Sequence, residues 1–218
     1  MRVDIHIHSV YSRDAIPTPR EIIQFAKKKG LSGVAITDHN SVEGGRIGRK
    51  LDPKFVIPGI EIRTREGDVL GLGLTKLIPK GMSVEETVER IREEGGVAVA
   101  AHPYARLRAG VGDLVKRVDF DAIEVLNAHL LSRNPKALKV CQELGKSMCA
   151  GSDAHVLEDV GNAYTEAEAS SLEEFLECLR KGKTKVFGTL PSLWGEIRSM
   201  MKRRVAKIKR FLAGPAVA

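Results

Sequence analysis

Five short segments each end a run of strand-forming residues on a side chain able to ligate metal: Ile5-His6-Ile7-His8, Ile36-Thr37-Asp38-His39, Gly59-Ile60-Glu61, Ala101-His102-Pro103 and Gly151-Ser152-Asp153-Ala154-His155. In His6-x-His8 the two imidazoles stand two residues apart, so on a strand they point to one face and can share a cation. Asp153-x-His155 repeats that spacing near the other end of the chain and joins a carboxylate to an imidazole. Glu61 follows Val56-Ile57-Pro58-Gly59-Ile60, and a glutamate there can bridge two cations, as two-metal hydrolytic centres require. Its alternative is a surface ion pair with Arg63 or Arg65. His102 closes Val97-Ala98-Val99-Ala100-Ala101 and is held ahead of Pro103, which disfavours helix at that point. His39 and Asp14 complete the set, although either alone also suits a turn or a cap.

Such ligands meet only if the fold gathers them. The apolar runs Val3 to Ile7, Gly33 to Ile36, Phe55 to Ile60, Val69 to Leu74, Val97 to Ala101, Ala122 to Leu126, Ser147 to Ala150 and Lys185 to Phe187 have the length and Val/Ile content of buried strands. Between them lie helices. Three start on capping boxes, Thr18-Pro19-Arg20-Glu21, Ser83-Val84-Glu85-Glu86 and Ser171-Leu172-Glu173-Glu174. Alternating strand and helix predict βα units and a parallel sheet. The C-terminal ends of such strands face one mouth, and closing the sheet into an irregular α/β barrel brings the first and last ligands together.

The 218 residues suit one catalytic domain. Cys141, Cys149 and Cys178 form no close pair and no zinc-finger spacing, which fits buried thiols in a reduced, cytoplasmic protein. Neither a signal peptide nor a transmembrane segment is expected. The net charge of +7 is unevenly held: residues 1–179 carry 24 Lys/Arg against 27 Asp/Glu, whereas 180–218 carry 11 basic residues and only Glu196. After Pro191 the residues Leu193, Ile197, Met201, Val205, Ile208 and Leu212 repeat at helical spacing, with Arg198, Lys202, Arg203 and Arg210 on the other faces, ending in a frayed Ala-Gly-Pro-Ala. This amphipathic helix is expected to dock on the barrel flank; a basic surface for nucleic acid or anionic lipid is the alternative.

The succession His6-x-His8, Ser12-x-Asp14, Thr37-Asp38-His39, Gly59-Ile60-Glu61, Ala101-His102-Pro103, Glu124-Val125-Leu126-Asn127 and Gly151-Ser152-Asp153-Ala154-His155 resembles the PHP (polymerase and histidinol phosphatase) family from residue 1 to about 188. The resemblance implies a distorted (β/α)7 TIM-like barrel over residues 1–188, here with a basic C-terminal helical extension over 189–218. It also implies two or three divalent cations (Mn, Zn or Fe). One would be held by His6, His8, Glu61 and Asp153, a second by Glu61 and His102, and a third by Asp14, His39 and His155. Where many members place a histidine or cysteine for the second cation, this chain has Asn127, with His129 two residues on; either, or water, completes that position. The implied catalytic set is His6, His8, Glu61, His102, Asp153 and His155.

Two cations a few ångström apart acidify a water and stabilise charge on phosphoryl oxygens, so the expected activity is metal-dependent phosphoester hydrolysis. Arg106 and Arg108, just past His102-Pro103-Tyr104, are candidates to grip a substrate phosphate, with Arg13 a further one. The resemblance suggests a small phosphorylated substrate, a nucleotide or nucleoside bisphosphate. The alternatives are a 5′ to 3′ exonuclease acting on short RNA or DNA, with nucleic acid contacted by the basic tail, a histidinol-phosphatase-like activity, and a non-catalytic binding module stabilised by metal.

Overall fold

The computed structural model describes residues 1–105, 109–129, 135–189 and 193–212. Strand β1 (Arg2–Ile7) is buried on both faces beyond Arg2, with Val3, Ile5 and Ile7 on one side and Asp4 and His6 on the other. Burial of both faces is the condition of a central strand. On one flank it pairs in parallel with β2 (Gly33–Ile36), which pairs in parallel with β3 (Val56–Arg63). Then come β4 (Asp68–Leu72), β5 (Val97–Ala100), β6 (Ala122–Asn127) and β7 (Ser147–Gly151). On its other flank β1 meets β8 (Ala163–Ala167), followed by β9 (Thr184–Gly188), so the sheet order is β7-β6-β5-β4-β3-β2-β1-β8-β9.

The sheet is mixed where a parallel one was expected. β4 runs antiparallel to both β3 and β5, because the short turn after Arg63 makes a hairpin and leaves no room for a crossover helix. β8, whose alternating Ala163-Tyr164-Thr165-Glu166-Ala167 carries too little apolar signal to read as a strand, runs antiparallel to β1 and β9. The barrel is nearly closed. Past the end of β7 the chain pairs with β1 through the bridge Ile7 to Ala154, with Asp153 N–H donating to His6 O at 2.7 Å and His8 N–H donating to Ala154 O at 2.9 Å. Deeper in, the Thr165 hydroxyl links β8 to β7 by bonding both the N–H and the C=O of Ala150.

Helices α1 (Pro19–Lys28) and α3 (Val84–Glu93) begin on complete capping boxes, Thr18 with Glu21 and Ser83 with Glu86. At α5 (Leu172–Arg180) only half of the expected box forms. Ser171 accepts from Glu174 N–H, but the Glu174 carboxylate turns to the N–H and hydroxyl of Ser170. α4 (Pro135–Glu143) covers β6 and β7. α2 (Glu43–Leu51) is built on three buried glycines, Gly44, Gly45 and Gly48, which let its backbone lie directly on β2 and β3.

The last helix, α6 (Leu193–Leu212), lies against the barrel flank. Its polar side meets the barrel: buried Ser199 donates to Asp159 Oδ2 at 2.9 Å and Lys202 pairs with Glu158. Trp194, Met201 and Val205 face outward. A hydroxyl and an ammonium with carboxylate partners hold the polar side in, and so the apolar stripe is left to solvent. Arg106, Arg108 and the Ala213 to Ala216 end lie outside the described residues.

A Cβ on Gly45 would stand 2.9 Å from Gly59 N and 3.0 Å from Pro58 Cα, both backbone atoms that cannot swing aside. Gly45→Ala is therefore expected to push α2 off the sheet and cost about 2–4 kcal/mol of stability, despite the better helix propensity of alanine. Chemical denaturation of the two proteins checks this, and an unchanged midpoint would refute the close approach.

Candidate metal centre

The strand ends deliver their side chains to one place. His6 and His8 leave β1, Glu61 projects from β3, His102 follows β5, and Asp153 and His155 follow β7. His6, His8, Glu61, His102, Asp153 and His155 are all buried to 2 % exposure or less. Glu61 is the common partner. Its Oε2 lies 2.8 Å from His39 Nδ1, 3.3 Å from His8 Nε2 and 3.6 Å from His6 Nε2, and its Oε1 lies 3.1 Å from His102 Nε2. Asp153 Oδ1 is 3.2 Å from His8 Nε2, 3.7 Å from His6 Nε2 and 3.5 Å from His155 Nδ1. Asp14, half exposed, closes the open rim at 3.5 Å from His155 Nε2 and 3.7 Å from His39 Nε2.

Hydrogen bonds behind these groups set which ring nitrogen faces inward. His6 Nδ1 lies 3.0 Å from Glu124 Oε1, an acceptor, so it carries the proton there and turns Nε2 to the cluster. The Ser12 hydroxyl gives its only hydrogen to Asp38 Oδ1, which makes His8 Nδ1 the donor in the 3.1 Å contact to Ser12 Oγ and again directs Nε2 inward. His155 Nδ1 donates to the carbonyl of Asp153 at 2.8 Å and points Nε2 at Asp14. Nε2 of His6 and Nε2 of His8 are buried and make no hydrogen bond. Buried imidazole lone pairs beside carboxylates are costly unless a cation completes them, so the donor set fits divalent metal. The triads His6-His8-Glu61, His6-His102-Asp153, His8-His39-His155 and Glu61-Asp68-His102 each bring one ligand atom per residue within 4.8 Å of the others.

Without cations the cluster holds itself together by protons. Burial alone would depress the His6 imidazole, but the carboxylates of Asp153, Glu124 and Glu61 outweigh it and hold the group well above its ordinary value. Burial likewise works against His39, which Glu61 and Asp14 raise to about 9. Glu61, which burial would raise, is held well below the usual carboxylate range by His6, His39 and His102. His8 goes the other way: burial, reinforced by His39 and His155, lowers it to about 3, so its Nε2 keeps a free lone pair at neutral pH.

The backbone is strained at the same place. Among the described non-glycine residues, only Asn40 (φ 51°), His102 (φ 29°) and Asp153 (φ 53°) have positive φ; two are expected ligands and the third follows His39. Asn127 offers its amide nitrogen to Glu124 Oε2 at 3.0 Å and Asp153 Oδ2 at 3.3 Å, while its oxygen accepts His129 N–H at 3.0 Å. His129 is buried and packs its ring on that of His155, centroids 5.3 Å apart. Arg13 is exposed on the loop between Ser12 and Asp14.

Two contributors carry no role that the sequence assigns, although Glu124 opens one of its motifs. Glu124 holds His6 Nδ1 and also accepts the His102 N–H at 2.8 Å. Its signal was a lone carboxylate inside an apolar strand. Asp68 enters the cluster only because the hairpin sets it opposite Arg63, two positions from Glu61, and nothing local announces that.

Residues 132–184 match the PHP-associated family. A protein of Methanocaldococcus jannaschii named only as uncharacterised is 45 % identical over 142 residues, 59 % of this chain and 83 % of that one. A probable phosphatase of Caldicellulosiruptor saccharolyticus is 28 % identical over 231 residues, 83 % of this chain and 96 % of its own. A 5′-3′ exoribonuclease of Haemophilus influenzae shares 30 % identity over 105 residues, 45 % of this chain and 38 % of the nuclease. In fold, the chain superposes with a TM-score of 0.72 and 20 % identity on a two-domain Bacteroides vulgatus protein containing a predicted PHP-like metal-dependent phosphoesterase, covering 93 % of this chain and 69 % of that one. With this matched segment, these relatives and a barrel that brings its candidate metal-ligating side chains to one mouth, the chain belongs to the PHP family of metal-dependent phosphoric ester hydrolases.

Proposed function

We propose that the chain hydrolyses a small phosphorylated metabolite, a nucleotide or nucleoside bisphosphate, with two or three divalent cations (Mn, Zn or Fe) and with residues 1–188 as the catalytic barrel. The observation that carries this reading is Glu61, one buried carboxylate within 3.6 Å of nitrogens from His6, His8, His39 and His102. A bridging carboxylate of that kind is what a two-metal hydrolytic centre needs. In this scheme His6, His8, Glu61 and Asp153 hold one cation, Glu61 and His102 a second, and Asp14, His39 and His155 a third. Asn127 acts beside the second position by orienting the carboxylates of Glu124 and Asp153, which its amide nitrogen faces.

Bound cations supply Lewis acidity, lowering the pKa of water and neutralising charge on phosphoryl oxygens. The residues supply the rest. His6, His8, Glu61, His102 and Asp153 are shut away from bulk water, where electrostatic interactions act with little screening. Glu124 and Ser12 fix the tautomers of His6 and His8. The open side lies at Asp14 and His39, and exposed Arg13, next to Asp14 in the chain, is the candidate to take a phosphate oxygen. Three free, buried cysteines suit work in a reducing cytoplasm.

A second reading, a 5′ to 3′ exonuclease, draws on the similarity to the H. influenzae nuclease and on the basic segment 189–218. Faster turnover of short single strands than of mononucleotides, falling steeply with salt, would favour it. A histidinol-phosphatase-like activity is the third, and the phosphoester panel that separates the three includes histidinol phosphate. Nucleic acid held tightly by metal-replete protein that hydrolyses none of these substrates would instead mark a binding module.

His8→Ala and Asp153→Asn are each expected to lower metal-dependent hydrolysis more than about 100-fold, beyond the 10–100-fold typical of a residue behind the ligands. Chelation of the wild-type protein should abolish activity, and added Mn, Zn or Fe should restore it. Wild-type rates in both variants would refute the scheme. Glu124→Gln, which touches no expected cation, should weaken metal affinity by about 10–100-fold through His6 and His102. Titration with metal reads this directly, and an unchanged affinity would remove Glu124 from the centre.

A further inference from the structure

We infer that α6 is a membrane-surface helix that docks the protein on an anionic lipid bilayer. Trp194, Met201 and Val205 are 79 %, 60 % and 50 % exposed, and with Ile197 they form one apolar stripe that lines an open groove between the helix and Ile16 of the barrel rim. Exposed apolar residues in a contiguous stripe mark an interaction surface, whereas scattered ones do not. The stripe is flanked by Arg198 and Arg204, and over residues 193–212 there are seven Lys/Arg against the single acid Glu196. An apolar stripe with tryptophan, bordered by cations on a helix without a spanning length of apolar residues, is the pattern of a helix lying in the bilayer interface.

Charge and chemistry select this occupant over the others. A second copy would set Arg198 and Arg204 against their equivalents, so pairing along this stripe brings like charges together. Nucleic acid would satisfy the cations but not Ile197, Met201 and Val205, which offer no flat ring for a base, leaving Trp194 as the sole aromatic among the described side chains of the stripe. Lipid satisfies both: headgroup phosphates meet the cations, and the glycerol and upper acyl region takes the apolar side chains. The anchorage is firm, because Ser199 to Asp159 and Lys202 to Glu158 tie the opposite side of the helix to the turn that follows His155. Ile16 N–H donates to His155 O at 3.0 Å, so the docking surface and the metal centre share one rim.

Trp194 is the only tryptophan in the chain and reports on this surface alone. With the full-length protein, vesicles of phosphatidylcholine and phosphatidylglycerol in equal parts should shift its emission to the blue and carry the protein down on sedimentation. Phosphatidylcholine alone should do neither, and added salt should reverse both effects. The double variant Met201→Gln/Val205→Gln alters two side chains that are at least half exposed and should keep the wild-type circular dichroism, while binding the anionic vesicles about tenfold more weakly. The inference is overturned by any of three results: no shift or sedimentation with anionic vesicles, vesicle binding unchanged in the double variant, or an emission shift produced instead by a single-stranded oligonucleotide or by self-association without lipid. Because the readout is binding, it stands apart from whether any phosphoester is hydrolysed.

Discussion

Two backbone hydrogen bonds, Asp153 N–H to His6 O and His8 N–H to Ala154 O, join the end of the first strand to the segment that leaves the seventh. Everything at the mouth depends on them. They set His6-x-His8 and Asp153-x-His155 side by side from opposite ends of the barrel, and they hold Asp153 in a left-handed conformation that an isolated chain would avoid. An open sheet would leave β7 at one edge with β1 far across the sheet from it. The barrel is thus closed at the one level where closure creates a site, and Asp4 supports that level from behind by accepting the N–H groups of Ser152 and Gly161.

Closure alone would gather groups that resist being together. Glu61, Asp153 and Glu124 are buried carboxylates, and each would be costly without a cationic or hydrogen-bonding partner. The imidazoles answer this: protonated, they neutralise the carboxylates, and neutral, they have the lone pairs by which divalent cations would share the same charge. His8 is the exception that gives the cluster its direction. Burial, reinforced by His39 and His155, lowers its pKa to about 3, and its Nε2 lies beside Glu61 and Asp153.

The parts legible in the sequence were those that depend on local pattern. Short Val/Ile runs ending on ligands announced β1, β2, β3, β5 and β7, and the boxes at Thr18 and Ser83 marked two helix starts. What stayed hidden depends on distant partners. The direction of β4 follows from a hairpin and that of β8 from its neighbours. α2 forms on glycines that a propensity argument rejects, because close packing on β2 and β3 outweighs intrinsic preference. At the site, Asn127 sits at a motif position yet turns its amide nitrogen to two carboxylates, which only the placement of Glu124 and Asp153 decides.

The amphipathic helix α6 shows how periodicity fixes a face but not its partner. The repeat from Ile197 through Met201 to Val205 correctly marks one apolar side, and the usual inference is that such a side turns to the core. That inference assumes the body has an apolar flank to receive it. Here the receiving surface is the turn Leu157–Asp159, which carries Glu158 and Asp159, so it recruits Ser199 and Lys202 and leaves the apolar side outward. The same two acids that follow His155 in sequence therefore fix the helix beside the candidate metal centre, and the acidic body and basic extension are held together by opposite charge at its rim.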